Sequence, residues 1–231
     1  MPPGYAYLLH RQHVPGSERR TGAAGVIVSS EHAGTHIDGL SHQAEEMRLF
    51  GGVDVASVQT AVGFRELGME TVAPLVGRGV LVDLAPGGRL EPGRWIGLEE
   101  VKRACAEQAV EPRRGDVFLA RTGAGALWSE PAAYLAASGM TGEVSAWLAE
   151  VGVRAVGADN VAWDALLGTD PLTGTSLPGH VILLVRSGIH ILENLYLEDL
   201  ARDGVHEFGL VCLPLKLVGA TGSPVRPVAL A

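Results

Sequence analysis

The sequence predicts an α/β or α+β domain built on a mixed sheet, and three observations carry that reading. Short aliphatic or β-branched runs bounded by turn residues recur along the 231 residues. Two segments carry helical periodicity and acidic first turns. Strand-like and helix-like segments are interspersed without the strict alternation of a purely parallel array. The 31 glycines suit a chain with many turns between short elements.

In chain order, strands are predicted at Gly25 to Ser30, Gly79 to Leu84, Asp116 to Ala120, Val153 to Gly157, His180 to Val185 and Leu210 to Leu217. A helix is predicted from Leu98 to Gln108, where Glu99 and Glu100 face the positive end of the helix dipole. A second runs from Thr141 to Val151: Thr141 stands at the cap, Glu143 follows, and Val144, Trp147, Leu148 and Val151 recur at helical spacing.

Composition sets the class. Hydrophobic residues make up 47%, charged residues 19% and aromatic residues 5%, a globular chain with an aliphatic core and, by its length, one domain over residues 1–231. The net charge of −8 argues against nucleic acid, whose phosphates require a basic face. No apolar run is long enough to span a bilayer, and MPPGYAYLLHRQH lacks the layout of a signal peptide, so a cytoplasmic protein without a membrane partner is expected. Cys105 and Cys212 lack metal-knuckle spacing and read as buried small hydrophobes. His10, His13 and His206 read as surface residues.

Residues 31–43, EHAGTHIDGLSHQ, concentrate His32, His36, Asp38 and His42 within eleven positions. A lone histidine is most simply a surface or core polar residue, but three with an aspartate make a metal site the better reading. His36 and Asp38, two apart, point the same way from an extended strand. Gly34 permits a bend that brings His32 round to the same ion. His42 lies just beyond, within reach of bound water.

These residues resemble the motif of the cyclase-like metal hydrolase family, which includes bacterial kynurenine formamidases and isatin hydrolase. His32, Gly34, Thr35, His36, Asp38 and His42 match in order, although Gly39 and Leu40 stand where formamidase-type members carry Ala-Pro. Further similar segments surround Asp83, Arg121, Thr122 and Asp159, and continue through HVILLVRSGIHILENL and the terminal PLKLVGATGSPVRPVA. The resemblance implies a swivelling β/β/α-type α/β fold with a central mixed, barrel-like sheet and flanking helices. It implies one metal on His32, His36 and Asp38 and a second, where present, on Asp38, His180 and Glu193, with zinc or manganese as the ion. His42 becomes the catalytic histidine. His190 competes with His180 on residue type, and the family context favours His180. Subunits of a homodimer or homotetramer are implied, meeting near the site.

The implied activity is hydrolysis of a small amide, cyclic amide, imide or lactone by activated water, with His42 shuttling the proton. A cyclase or lyase on the same metal is the second enzyme reading. A non-catalytic metal-binding relative is the third, and the extra histidine His42 stands against it. Trp95, Trp128 and Trp163 are candidates to stack on a substrate ring, though tryptophan is more often core. Asp83 and Asp159 either orient ligating histidines or cap turns, the latter preferred. Arg121 with Thr122 reads as a structural pair before a carboxylate binder, and residues 219–224, which could form a loop near the site, read as a plain turn.

Overall fold

A computed structural model describes residues 5–16 and 19–231. Ten strands matter for the architecture: β1 (Tyr5–Arg11), β2 (Ala24–Ser29), β3 (His36–Asp38), β4 (Leu75–Asp83), β5 (Val117–Arg121), β6 (Ala155–Ala158), β7 (His190–Glu193), β8 (Glu207–Cys212), β9 (Gly222–Pro224) and β10 (Val228–Leu230). Eight of them form one sheet in the order β9-β3-β7-β6-β5-β4-β8-β10. The four central strands β7, β6, β5 and β4 run parallel. Antiparallel pairs flank them on both sides. This is a mixed α/β fold with a curled, half-barrel sheet and flanking helices, as the sequence implies.

The central strands read as continuous aliphatic runs because both sheet faces are covered. Val80, Val82, Phe118 and Val156 pack under two helices, α1 (Leu98–Glu107) and α2 (Gly142–Val151), meeting Val101, Val144 and Leu148. The alternate residues Leu81, Leu119, Leu192 and Ile37 face the other way, onto Met69, Leu195 and Leu197. No helix among the described residues is long and apolar enough to cross a membrane. Both cysteines are free and buried, and burial pushes each thiol up to about 11.

Three expectations need correction. His180 to Val185 is not a strand: a helical turn, Pro178–His180, continues as a π-helical segment, Val181–Ser187. A short apolar run fits either structure, and Pro178 at the first helical position decides it, its ring already holding a helical φ. The strand predicted from Leu210 to Leu217 ends at Cys212, because Pro214 has no N–H for a ladder. The start of α2 is capped from elsewhere: Asp170 Oδ2 accepts from the Gly142 N–H at 2.6 Å, while the Thr141 hydroxyl has no partner.

Candidate metal centre

Parallel strands direct ligands to their carboxyl ends, and the centre forms at that end of β7. β3 pairs antiparallel with β7, setting Glu193 opposite His36 and Ile191 opposite Asp38. Opposed residues share a face, so His36, Asp38 and Glu193 converge on one side of the sheet. On the other flank of β3, β9 sets Gly222 opposite Asp38. A side chain at 222 would meet the His32 ring 2.6 Å from its Cβ, so only glycine leaves room for that imidazole. Gly34, at φ +65, supplies the bend that returns His32 over the strand. A turn from Gly39 to His42, closed by the His42 N–H on the Gly39 carbonyl at 3.0 Å, carries the fourth imidazole back over the cluster.

The side chains lie at coordination spacing. His32 Nδ1 is 2.9 Å and His36 Nε2 3.5 Å from Asp38 Oδ1. His36 Nε2 is 3.2 Å from Glu193 Oε2. His180 Nε2 is 3.4 Å from Glu193 Oε1 and 3.8 Å from Asp38 Oδ2. Ligands about 2.0–2.2 Å from a tetrahedral ion stand roughly 3.3–3.6 Å from one another. The His42 ring lies 4.2 Å from that of His32 and 6.0 Å from that of His180, centre to centre.

Two sets of three groups could each hold an ion: His32, Asp38 and His42, and His36, Asp38 and Glu193. They share Asp38. All six residues singled out in the sequence are therefore brought together, with His42 as near the ligand cluster as a ligand would be. His190 is not among them: it sits three residues before Glu193 on β7 and turns away, its Nδ1 bonded to the Asp38 carbonyl at 2.9 Å.

Hydrogen bonds to the far nitrogens fix how the rings point. His36 Nδ1 donates to the Gly34 carbonyl at 2.8 Å, which also accepts from Asn194 Nδ2 at 3.0 Å. Tyr134 in turn donates to Asn194 Oδ1 at 2.6 Å. His180 Nδ1 donates to Asp164 Oδ2 at 2.8 Å, and Asp164 also accepts from the Gly179 and His180 N–H groups. Both histidines thus direct Nε2 at the carboxylates, the arrangement of metal-ligating imidazoles. His32 Nε2 sits 3.0 Å from the Thr221 hydroxyl, which donates to Glu31.

What remains unsatisfied tests whether the residues fit a cation. His36 Nε2, both Asp38 oxygens and Glu193 Oε1 are buried without a hydrogen-bond partner; the Asp38 contact with His32 is close but not aligned for one. Buried charges are costly unless paired or bound to metal, and four such atoms converging on one space suit a divalent ion. Within the cluster the carboxylates and imidazoles offset one another's burial. Burial alone would lower the His36 pKa, but Asp38 and Glu193 outweigh it and push it up to about 10. His180 is likewise raised by Asp164 and Glu193 against its burial. Asp38, despite burial, is lowered by His32 and His36.

Asp164, Asn194, Tyr134, Thr221 and Gly222 were not singled out as candidates for the site. Thr221 and Gly222 fall in the 219–224 turn, which could form a loop near the site, and Asn194 in the ENL segment that resembles the family; Asp164 and Tyr134 carry no sequence signal. Asp83 and Asp159 do not orient histidines. Asp159 accepts from the backbone of Thr122, Gly123 and Gly125 and from the Thr122 hydroxyl, as a turn cap. Arg121 pairs with Asp83 and Glu198, the structural pair expected. Trp163 is fully buried in the core and bonds Ser145. Trp128 packs edge-on against Tyr134.

The chain matches the family described as putative cyclase over residues 8–165. It is 30% identical over 204 residues to a kynurenine formamidase of Delftia acidovorans (strain DSM 14801 / SPH-1), covering 87% of this chain and 77% of that one. A crystal structure of a novel cyclase superposes with a TM-score of 0.87 at 29% identity, over 100% of this chain and 83% of that one. Isatin hydrolase A from Ralstonia solanacearum shares the fold with a TM-score of 0.73 at 22% identity, over 97% and 81%.

Proposed function

The chain belongs to the putative cyclase family, and from that premise we propose that it is a metal-dependent hydrolase cleaving the C–N bond of a small amide, an N-acyl aromatic amine or a cyclic amide. The observation that carries the reading is the set of unpartnered ligand atoms on His36, Asp38 and Glu193, with His42 beside them as the candidate base. His32, His36, Asp38, His180 and Glu193 would hold one or two divalent ions of the zinc or manganese class. Bound there, such an ion supplies Lewis-acid polarisation of a carbonyl and a water of lowered pKa.

The chain's own residues supply positioning and proton transfer. Asp164 and the Gly34 carbonyl hold His180 and His36 in the tautomers that present Nε2 to the centre. Burial, helped by the neighbouring His32 and His180 and opposed by Asp38 and Glu193, lowers the His42 pKa, so its imidazole is neutral at physiological pH. A neutral imidazole accepts a proton from attacking water and returns it to the departing nitrogen, a contribution of about 10²–10⁴-fold. The kynurenine formamidase relative supports an open-chain amide, and the isatin hydrolase fold leaves a cyclic amide within the class.

The test is a panel of N-formyl aromatic amines, cyclic amides and lactones, with and without chelator. Amide hydrolysis abolished by chelator, restored by zinc or manganese and lost in His42→Ala with its metal retained is the expected result. Chelator-insensitive turnover, or full activity in His42→Ala, contradicts the proposal.

A further inference from the structure

His32, His36 and His180 are not oriented alike. His36 and His180 donate from Nδ1 and present Nε2 to the carboxylates. His32 does the reverse: its Nδ1 stands 2.9 Å from Asp38 Oδ1, and its Nε2 turns outward, 3.0 Å from the Thr221 hydroxyl. Distance alone does not say which nitrogen of an imidazole carries the proton, but Thr221 does. A hydroxyl has one proton to give. Thr221 gives it to Glu31, whose carboxylate also accepts the Thr221 backbone N–H at 3.2 Å. Towards His32 the hydroxyl has only lone pairs left, so Nε2 carries the hydrogen and Nδ1 of the neutral ring is bare, as a ligand nitrogen must be.

The other tautomer has a competing acceptor at hand. Asp38 Oδ1 is buried without a hydrogen-bond partner and would draw a proton placed on Nδ1, turning an N–H instead of a lone pair towards the centre. The relay that opposes this is anchored in the fold. The Thr221 carbonyl accepts from the Gly39 N–H at 2.7 Å, so Thr221 ties down both ends of the ligand segment, Glu31 before His32 and Gly39 after Asp38. Glu31 Oε1 lies 3.7 Å from His32 Nε2, beyond hydrogen-bond distance, so it reaches the ring through the hydroxyl.

We propose that Glu31, acting through the Thr221 hydroxyl, is a positioning residue that holds His32 in the Nε2–H tautomer and thereby makes Nδ1 its ligand atom. The purpose of this arrangement rests on the metal-dependent reading of the centre; the tautomer itself is a property of the metal-free chain.

Long-range nitrogen-15 correlation spectra of the metal-free full chain at about pH 8.5, where an ordinary imidazole is neutral, read the tautomer, with His32 assigned by its absence in His32→Gln. A competitive chelator titration with zinc reads the consequence. The wild type is expected to carry the His32 proton on Nε2. Thr221→Val, which keeps the shape and removes the acceptor, and Glu31→Met, which frees the hydroxyl proton, should shift the ring towards Nδ1–H and weaken zinc binding by about 10–100-fold. Thr221→Ser should keep both the tautomer and the affinity of the wild type. Nδ1–H in the wild type overturns the proposal, as does a Thr221→Val that alters neither readout. Thr221→Ser behaving like Thr221→Val also overturns it, as the mark of a merely structural role. A wild type that shows the Nε2–H tautomer, loses it in Thr221→Val and yet binds no zinc upholds the positioning and overturns the hydrolase reading instead.

Discussion

Two clusters of buried charge lie at the carboxyl ends of the central strands, and they are finished differently. Around Arg121 every donor is met: Nη1 by Asp83 at 2.7 Å and the Ala85 carbonyl, Nη2 by Glu198 at 2.7 Å and the Gly88 carbonyl, and Nε by Glu198 at 3.1 Å. Around Asp38 the ligand atoms converge and are left without partners. A closed network holds loops together. An open one, in which the imidazoles' outer nitrogens are nevertheless carefully bonded, is arranged for something that the protein does not itself supply.

The sharpest way to break the contrast is to remove its shared member. Asp38→Asn keeps shape but takes away the charge common to both candidate ion sites; metal content by elemental analysis should fall to background and hydrolysis by more than about 100-fold. Arg121→Met should do the opposite. It leaves Asp83 and Glu198 without their cation, lowering unfolding free energy in urea by about 3–5 kcal/mol, while metal stoichiometry per folded chain stays unchanged.

Smaller substitutions sharpen the comparison. Asp164→Asn should weaken metal affinity by about 10–100-fold, as lost outer-sphere partners do, and Asp164→Glu should recover part of it in a competitive chelator titration. Gly222→Ala, whose Cβ would stand 2.6 Å from the His32 ring, should displace that imidazole and show an intermediate affinity in the same titration. Binding should also release protons, because His36, held up at about 10 by Asp38 and Glu193 despite its burial, must give up its proton to a cation. Apparent affinity therefore rises with pH by about tenfold per unit for each proton released, measurable by calorimetry in buffers of different ionisation enthalpy.

The same contrast explains what the sequence revealed. His32, His36, Asp38 and His42 are local: a three-residue strand and two turns gather them, so their density in the sequence pointed to a metal site, and the family resemblance gave His42 its role. His180 and Glu193 came only through family resemblance. The segment that carries His180 reads as a strand and is helical in the structure, since VILLV satisfies both periodicities and the Asp164 contacts that hold the Pro178 turn come from fifteen and sixteen positions away. Asp170, which caps α2, lies twenty-eight residues from Gly142 and was invisible for the same reason. The central strands were legible because burial on both faces leaves an uninterrupted aliphatic run. β1 was not among the predicted strands, and its apolar side chains lie exposed rather than in the core.

The most direct test of the central claim is elemental analysis of three preparations of equal fold content, the wild type, Asp38→Asn and Arg121→Met. The account predicts about one to two divalent ions per chain in the wild type and Arg121→Met and none in Asp38→Asn; a metal-free wild type that hydrolyses amides, or Asp38→Asn retaining its full complement, would contradict it.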